Sequence, residues 1–327
     1  TVDPKVAIRW EITDWLTGRG SISTTFRGPP QSYLGGEVTT LAPVAQTGGT
    51  FKAVVQVGNP ELGPERATAA NVGAIVTLGG FTGSLDYWDY NFSDPFQLEN
   101  YTQLASFYTA CYTAGTLTSS PSCAEVASHI FIGPGTVPAG NPAGIERINT
   151  FWVNGSKIQT NGLDLSLAYA FNLFGGELTV GTDGSYVMQY QSDDFADVGG
   201  VTLAPGGDFA GFYNITSNGF APIPELKGSA YIRYNIGGFT FNTIARYVDD
   251  YKDAAALQSQ FEQIDSFTTY DMTALYQWRD LGIAASVFNL TDEDPPWAGT
   301  NLNYDANTHS ALGRMVKLQL TYTLGGG

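Results

Sequence analysis

Apolar and polar side chains alternate with a period of two through almost the whole chain, and few folds can use that pattern at this length. In the last such stretch Val316, Leu318, Leu320, Tyr322 and Leu324 fall on one side, with Lys317, Gln319, Thr321 and Thr323 on the other. Leu226, Ala230, Ile232, Tyr234 and Ile236 alternate likewise with Lys227, Ser229, Tyr231, Arg233 and Asn235. Leu163, Leu165, Leu167, Tyr169 and Phe171 oppose Asp164 and Ser166, and Ile8, Trp10 and Ile12 oppose Arg9 and Glu11. Residues two apart share one face of a strand, so each stretch predicts a strand with one apolar and one polar face. Helical periodicity does not recur.

About eleven strands follow, at 6–13, 18–26, 66–79, 81–96, 150–172, 177–190, 225–236, 239–250, 266–277, 281–290 and 314–324. Tight turns at Asp14 to Thr17, Gly79-Gly80, Phe174-Gly175-Gly176, Gly237-Gly238 and Arg279-Asp280 take turns with long polar loops. The loops run at 27–65, 97–149, 191–224, 251–265 and 291–313. Short turns on one side and long loops on the other are the layout of an outer-membrane barrel, whereas a soluble sandwich has no reason to segregate its loops. The expected class is therefore all-β, a transmembrane antiparallel β-barrel. Trp15, Phe174, Phe239 and Trp278 beside the short turns, and Trp88, Tyr90, Trp152, Tyr190 and Tyr247 nearer the long loops, predict two interfacial girdles.

Composition agrees. Charged residues make up 14%, against about 25% in a soluble domain. A mean hydropathy of -0.08 suits strands that alternate lipid-facing and lumen-facing residues. No run of about 18 apolar residues exists, so no transmembrane helix is expected. The formal charge of -16 argues against nucleic-acid binding and fits solvated acidic loops. Thr1-Val2-Asp3-Pro4 lacks a signal-peptide pattern. If the last strand ends in the periplasm, an odd strand count starts the chain on the outside. A closed bacterial barrel normally has an even count, so the chain is expected to begin in mid-barrel, as a fragment or as a piece that closes with another chain.

No enzyme signature is present: there is no Gly-x-Ser-x-Gly elbow and no HExxH. With His129 and His309 the only histidines, triads and multi-histidine metal sites are all but excluded. No catalytic residue, metal site or cofactor is predicted. Acidic clusters at Asp193-Asp194 with Asp197, Asp249-Asp250 with Asp253, and Asp292-Glu293-Asp294 lack EF-hand spacing, and loop solvation is preferred to Ca²⁺ binding. Cys111 and Cys123 would staple their loop in an oxidising compartment or remain thiols in a reducing one. Ligand contacts are expected from Arg9, Arg233, Arg246 and Asp271 in the lumen, and from Tyr213, Trp297 and Tyr304 in the loops. For each of these, charge pairing in the wall or packing within the loops is the plainer role.

Five segments, in order, resemble those of TonB-dependent receptors. Thr25-Phe26-Arg27-Gly28-Pro29-Pro30 is similar to the family's S-F-R-A-P stretch, and Asn59-Pro60-Glu61-Leu62-Gly63-Pro64-Glu65 to its N-P-x-L-x-P-E segment. Leu85-Asp86-Tyr87-Trp88 fits the strand that follows. Thr160-Asn161-Gly162-Leu163-Asp164-Leu165 resembles the G-[VLI]-[DE]-L strand, and Asn289 to Pro296 with Gly313-Arg314 the C-terminal end. The resemblance implies a barrel of about 22 strands around a plug. Residues 1–327 would then be its C-terminal part, with the plug domain and first barrel half absent. It also implies outer-membrane localisation among lipid and lipopolysaccharide, a TonB complex as energy source, and a small-molecule nutrient such as a siderophore, cobalamin or carbohydrate. Leu324-Gly325-Gly326-Gly327 departs from the aromatic residue that usually ends the family's chains. Competing expectations are a passive porin-like channel and a soluble β-rich binding or adhesion protein.

Overall fold

The computed structural model describes residues 2–135, 138–196, 202–213, 222–253, 263–299 and 302–324. Eleven of the twelve strands of one antiparallel sheet follow one another in strict sequence order, and the twelfth, Gly207–Asp208, pairs off that path with the end of the strand Gly176–Ser192. The eleven begin with β1 (Lys5–Glu11), β2 (Leu16–Arg27), β3 (Glu65–Leu78) and β4 (Phe81–Ser93). Next come β5 (Ile158–Leu173), β6 (Gly176–Ser192), β7 (Leu226–Ile236) and β8 (Phe239–Val248). The last are β9 (Phe267–Trp278), β10 (Leu281–Phe288) and β11 (Met315–Tyr322). Among the described residues β1 pairs only with β2 and β11 only with β10, so the sheet is open at both edges. The Gly-rich tail at 325–327 lies outside the described residues.

The register makes the two faces consistent from strand to strand. Leu85, Leu165 and Gly184 share one transverse row, and Asp86, Asp164 and Ser185 the next. Strict alternation therefore collects the apolar residues on one face and the polar ones on the other. The apolar face is bare: Val316 is 77% exposed and Ile8 69%. An uncovered apolar surface of that extent fits a wall that meets lipid rather than water. Short connections join β1–β2, β3–β4, β5–β6, β7–β8 and β9–β10 at one end, and Gly79 takes φ 59°, a left-handed conformation cheap only for glycine. The five long connections gather at the other end.

Two expectations need correction. The strand expected at 150–172 is two strands in different sheets, Ile145–Asn154 and β5, separated at Gly155. A side chain at Gly155 would collide with Gln97, so the chain breaks where the loop sheet packs against the start of the wall. The loops at 27–65 and 97–149 are also not plain polar loops. They build a cap with a five-stranded sheet of Glu37–Val44, Thr50–Val57, Ile145–Asn154, Phe96–Leu98 and Ile130–Ile132.

Helices α1 (Tyr101–Thr113) and α2 (Pro121–His129) lie in the cap, joined by a Cys111–Cys123 disulfide. Asn100 caps α1 by accepting the Thr102 N–H at 2.9 Å, and Pro121 sits in the first turn of α2 where its missing N–H costs nothing. Leu104, Ala105, Tyr108 and Cys111 recur at helical spacing and bury one face of α1. Leu104, Ala105 and Tyr108 meet Val44, Val126, Ile130, Ile145 and Ile148, and Phe195 from the β6–β7 loop, in a core of the cap's own.

Candidate functional site

The polar face surrounds a cavity of about 880 Å³ on the wall. Its spine is a transverse row set by the register: Arg19, Gly73, Asp86, Asp164, Ser185, Lys227 and Val248. Arg19 on β2 pairs with Asp86 on β4 across the intervening β3, its Nε 2.7 Å from Oδ1. Gly73 makes this reach possible, because a Cβ there would fall inside the Asp86 carboxylate. Asp86 is buried, and a bidentate guanidinium is the partner that makes such burial tolerable. Asp164 accepts from Trp88 Nε1 at 3.2 Å and from Ser185 Oγ at 2.7 Å.

Of the predicted lumen residues, the fold brings Arg246 and Asp271 together as an ion pair on neighbouring strands. Asp271 also accepts the Asn289 N–H at 2.9 Å, which ties the pair to the start of a long loop. Arg233 lies apart, in a polar hollow of about 460 Å³ with Asn235, Thr240, Asn242 and Thr273, its guanidinium 6.0 Å from the Tyr231 ring. Arg9 stands on edge strand β1, 3.8 Å from Glu11, and both are largely exposed. The row of Arg19, Asp86, Asp164 and Lys227 was not singled out. Alternation identifies each as polar-facing, but only cross-strand register shows that they align.

The predicted loop residues surround a hub near the top of β7 and β8. Tyr251 donates to Asp305 Oδ2 at 2.8 Å and receives His309 Nε2 at 2.9 Å, all three buried. This network places the neutral imidazole proton on Nε2, and His309 Nδ1 has no hydrogen-bond partner. Tyr213 stands edge-on to Tyr251 at 6.3 Å, and Trp297 and Tyr304 are joined by a backbone bridge. Burial, followed by the hydrogen bond and charge of Asp305, pushes the Tyr251 hydroxyl far above its ordinary value, so it stays a donor. Burial also lowers the His309 pKa, opposed by Asp305 and assisted by Lys227.

The cap holds the other histidine with the opposite bias. His129 Nδ1 lies 3.2 Å from Glu99 Oε2 and 3.3 Å from the Asn149 carbonyl, and both side chains are buried. Burial lowers its pKa, but the Glu99 hydrogen bond and charge outweigh that, and the net shift is upward.

The signs follow. The His129 contribution to stability is complete below the unfolded pKa of 6.5 and fades as pH rises through the higher folded value. The His309 contribution is complete above 6.5 and fades as pH falls through the lower folded value. NMR titration of the two imidazoles should show His129 titrating above and His309 below 6.5. Titration in the reverse order would contradict both environments.

The acidic clusters are engaged locally. Asp194 accepts Gly206 N–H at 2.7 Å, Asp250 accepts Gln263 at 2.6 Å, and Asp292 holds the Arg314 N–H at 2.6 Å. Asp197 lies outside the described residues. Among the described residues no group of three or more His, Cys, Asp or Glu is placed to hold a metal ion.

The expected long-loop girdle is also corrected. Trp88 and Tyr90 share the Asp86 face and point into the lumen, Tyr190 falls in the Tyr90 row through Thr160, and Trp152 stacks on Tyr33 in the cap at 3.6 Å. Of the expected residues Tyr247 does occupy the outer face near that rim, where Tyr186 and Tyr270 join it. Position along a strand was legible, but facing depends on register.

A family model described as TonB dependent receptor-like, beta-barrel, matches residues 1–290. No curated protein sequence matches. Among solved structures, the ferric enterobactin receptor of Pseudomonas aeruginosa in complex with enterobactin is similar with a TM-score of 0.64 at 14% identity, over 98% of this chain and 40% of its own. The siderophore receptor PirA of Acinetobacter baumannii gives 0.59 at 14%, over 98% and 40%. The FrpB iron transporter of Neisseria meningitidis gives 0.55 at 14%, over 98% and 39%. At such identity the likeness is one of fold. The chain spans about two fifths of the length of these proteins.

Proposed function

The chain belongs to the TonB-dependent receptor-like β-barrel family, and from that premise we propose that it forms part of the wall of an outer-membrane receptor for energised nutrient uptake. The carrying observation is the eleven-strand meander with a bare apolar face on one side and a polar, cavity-bearing face on the other. In this reading the apolar face meets outer-membrane lipid and lipopolysaccharide, and the polar face lines the transport path. Residues 1–327 are the C-terminal half of a barrel of about 22 strands, and the open edges at β1 and β11 pair with strands of the first half. The plug and the segment that meets the TonB complex belong to other parts of such a receptor.

The substrate is a scarce small nutrient, and the ferric siderophores of the similar receptors are the first to test. Loops carrying Tyr213, Trp297 and Tyr304 capture it. Arg9, Arg233, Arg246 and Asp271 line its way once the plug is displaced. No covalent step is required of any residue.

The test is growth and uptake. In an iron-starved host that lacks its own receptors, the full receptor should restore uptake of a ferric siderophore. Uptake should vanish when TonB is deleted or the proton-motive force is collapsed. Undiminished uptake under either condition would replace this reading with a passive channel.

A further inference from the structure

The three loops that carry Tyr213, Trp297 and Tyr304 are joined to one another. Phe212–Tyr213 from the β6–β7 loop runs parallel to Tyr251–Asp253 from the β8–β9 loop, which pairs on its other side with Gln263–Ile264. The Lys252 N–H donates to the Gly211 carbonyl at 2.9 Å. Ala298 of the β10–β11 loop packs with Tyr251 and Ile264 in a small buried core, against which Tyr213 also lies. Tyr251, Asp305 and His309 sit in this joint, so a change that loosens them acts on all three loops.

His309 is the weak point of the joint. Its ring lies over Tyr251 with planes within 22° and meets Phe267 of β9 edge-on at 5.1 Å. Nε2 is bonded to Tyr251, and Nδ1 is buried with no hydrogen-bond partner. A bare lone pair is tolerable there, but a proton on Nδ1 adds an unpaired N–H and a buried charge together. The nearby carboxylates are committed. Asp305 accepts Tyr251 through Oδ2 and the Asn307 N–H through Oδ1. Asp271, which lines the same cavity of about 280 Å³ as His309, holds Arg246 and the Asn289 N–H. From β7 and β8 the charges that face this region are the cations Lys227 and Arg246, which oppose a further positive charge. Asp253, in the β8–β9 loop, acts on Tyr213.

We propose that Tyr251, Asp305 and His309 form an acid-released latch: neutral His309 keeps the three capture loops joined, and protonation of Nδ1 frees them. Release returns the imidazole to water, where it takes a proton more readily than in the joint, so falling pH favours release. The proposal rests on the receptor reading and adds a means of regulating its capture loops. The cap carries the opposite bias, because charged His129 gains Glu99, and acid does not weaken that contact.

Hydrogen exchange of the full receptor in detergent is compared at about pH 7.5 and about pH 5, on either side of the ordinary histidine range. Protection factors are used, which remove the intrinsic pH dependence of exchange. Protection of the Lys252 amide should fall about five- to tenfold in acid, while the amides of α1 hold. The midpoint of that fall should follow the His309 titration seen by NMR. His309→Gln keeps an amide donor toward Tyr251 but does not titrate, so its Lys252 protection should be independent of pH. Tyr251→Phe, which leaves no hydroxyl between Asp305 and His309, should lower that protection at both pH values. Constant protection in the wild type, an equal fall in α1, a midpoint away from the His309 titration, or an acid-induced fall that persists in His309→Gln would overturn the latch. If His309→Gln already loosens the loops at neutral pH, the wild-type fall and its midpoint decide. The measurement needs no cargo, so those results remove the latch and leave the receptor. Uptake independent of TonB removes the receptor reading and leaves the exchange result standing.

Discussion

Replacing Leu165 by arginine is expected to destabilise the folded wall by about 2–4 kcal/mol, while the same change at its neighbour Ser166 costs about 1 kcal/mol or less. Leu165 lies near the middle of β5 on the apolar face, in register with Leu85. Ser166 follows it on the polar face and lines the cavity. A cation at the bilayer midplane loses its hydration, whereas in the lumen it keeps water and gains Asp164 and Asp183 as neighbours. Equilibrium unfolding from lipid bilayers in denaturant measures both. Equal costs at the two positions, or a greater cost at Ser166, would mean that the faces are assigned the wrong way round. The contrast is more informative than either value alone, because both variants add the same side chain to adjacent positions of one strand.

The second large effect is expected in the cap. Glu99→Ala removes the partner of buried His129 and also orphans the Phe151 N–H, which Glu99 Oε2 accepts at 2.8 Å. Breaking a buried pair from one side costs about 3–5 kcal/mol. That loss should appear as local opening of the cap, because its core is separate from the wall. Hydrogen exchange in α1, α2 and Ile145–Asn154 should accelerate while β5 to β9 stay protected. Glu99→Gln, which keeps an acceptor for Phe151 N–H, should cost less, and His129 should then titrate below its wild-type value. Unchanged exchange in the cap after Glu99→Ala would show that the pair contributes little. The Cys111–Cys123 disulfide remains in both variants, so the comparison isolates the ion pair.

How much of this was legible without coordinates differs from segment to segment. The ends of β3, β6, β7 and β9 were readable to within about two residues, because alternation stops at Gly-containing turns or at polar loop residues. The resemblance motifs added the family, which the match over residues 1–290 bears out. The cap was missed for a local reason. Leu104, Ala105, Tyr108 and Cys111 carry a helical spacing, and Asn100 and Pro121 are start signals, but the stretch is short and rich in Thr, Ser and Ala. The expected strand at 150–172 failed because the strand-forming residues Phe151, Trp152 and Val153 run almost up to β5, and residue type does not say which sheet a strand joins.

The sequence by itself determined the number of wall strands, the order of short turns and long loops, and which residues of each wall strand share a face. These are local properties, fixed by a period of two and by turn chemistry. Only the tertiary structure decided which faces align. The Arg19–Asp86 pair spans residues far apart in sequence and needs Gly73 between them. Tyr251, Asp305 and His309 converge from two different loops. Trp88 and Tyr90 turned from the lipid rim into the lumen once the register with Asp164 and Thr160 was set. Register and loop convergence depend on contacts between distant segments, whose energies no single stretch of sequence contains.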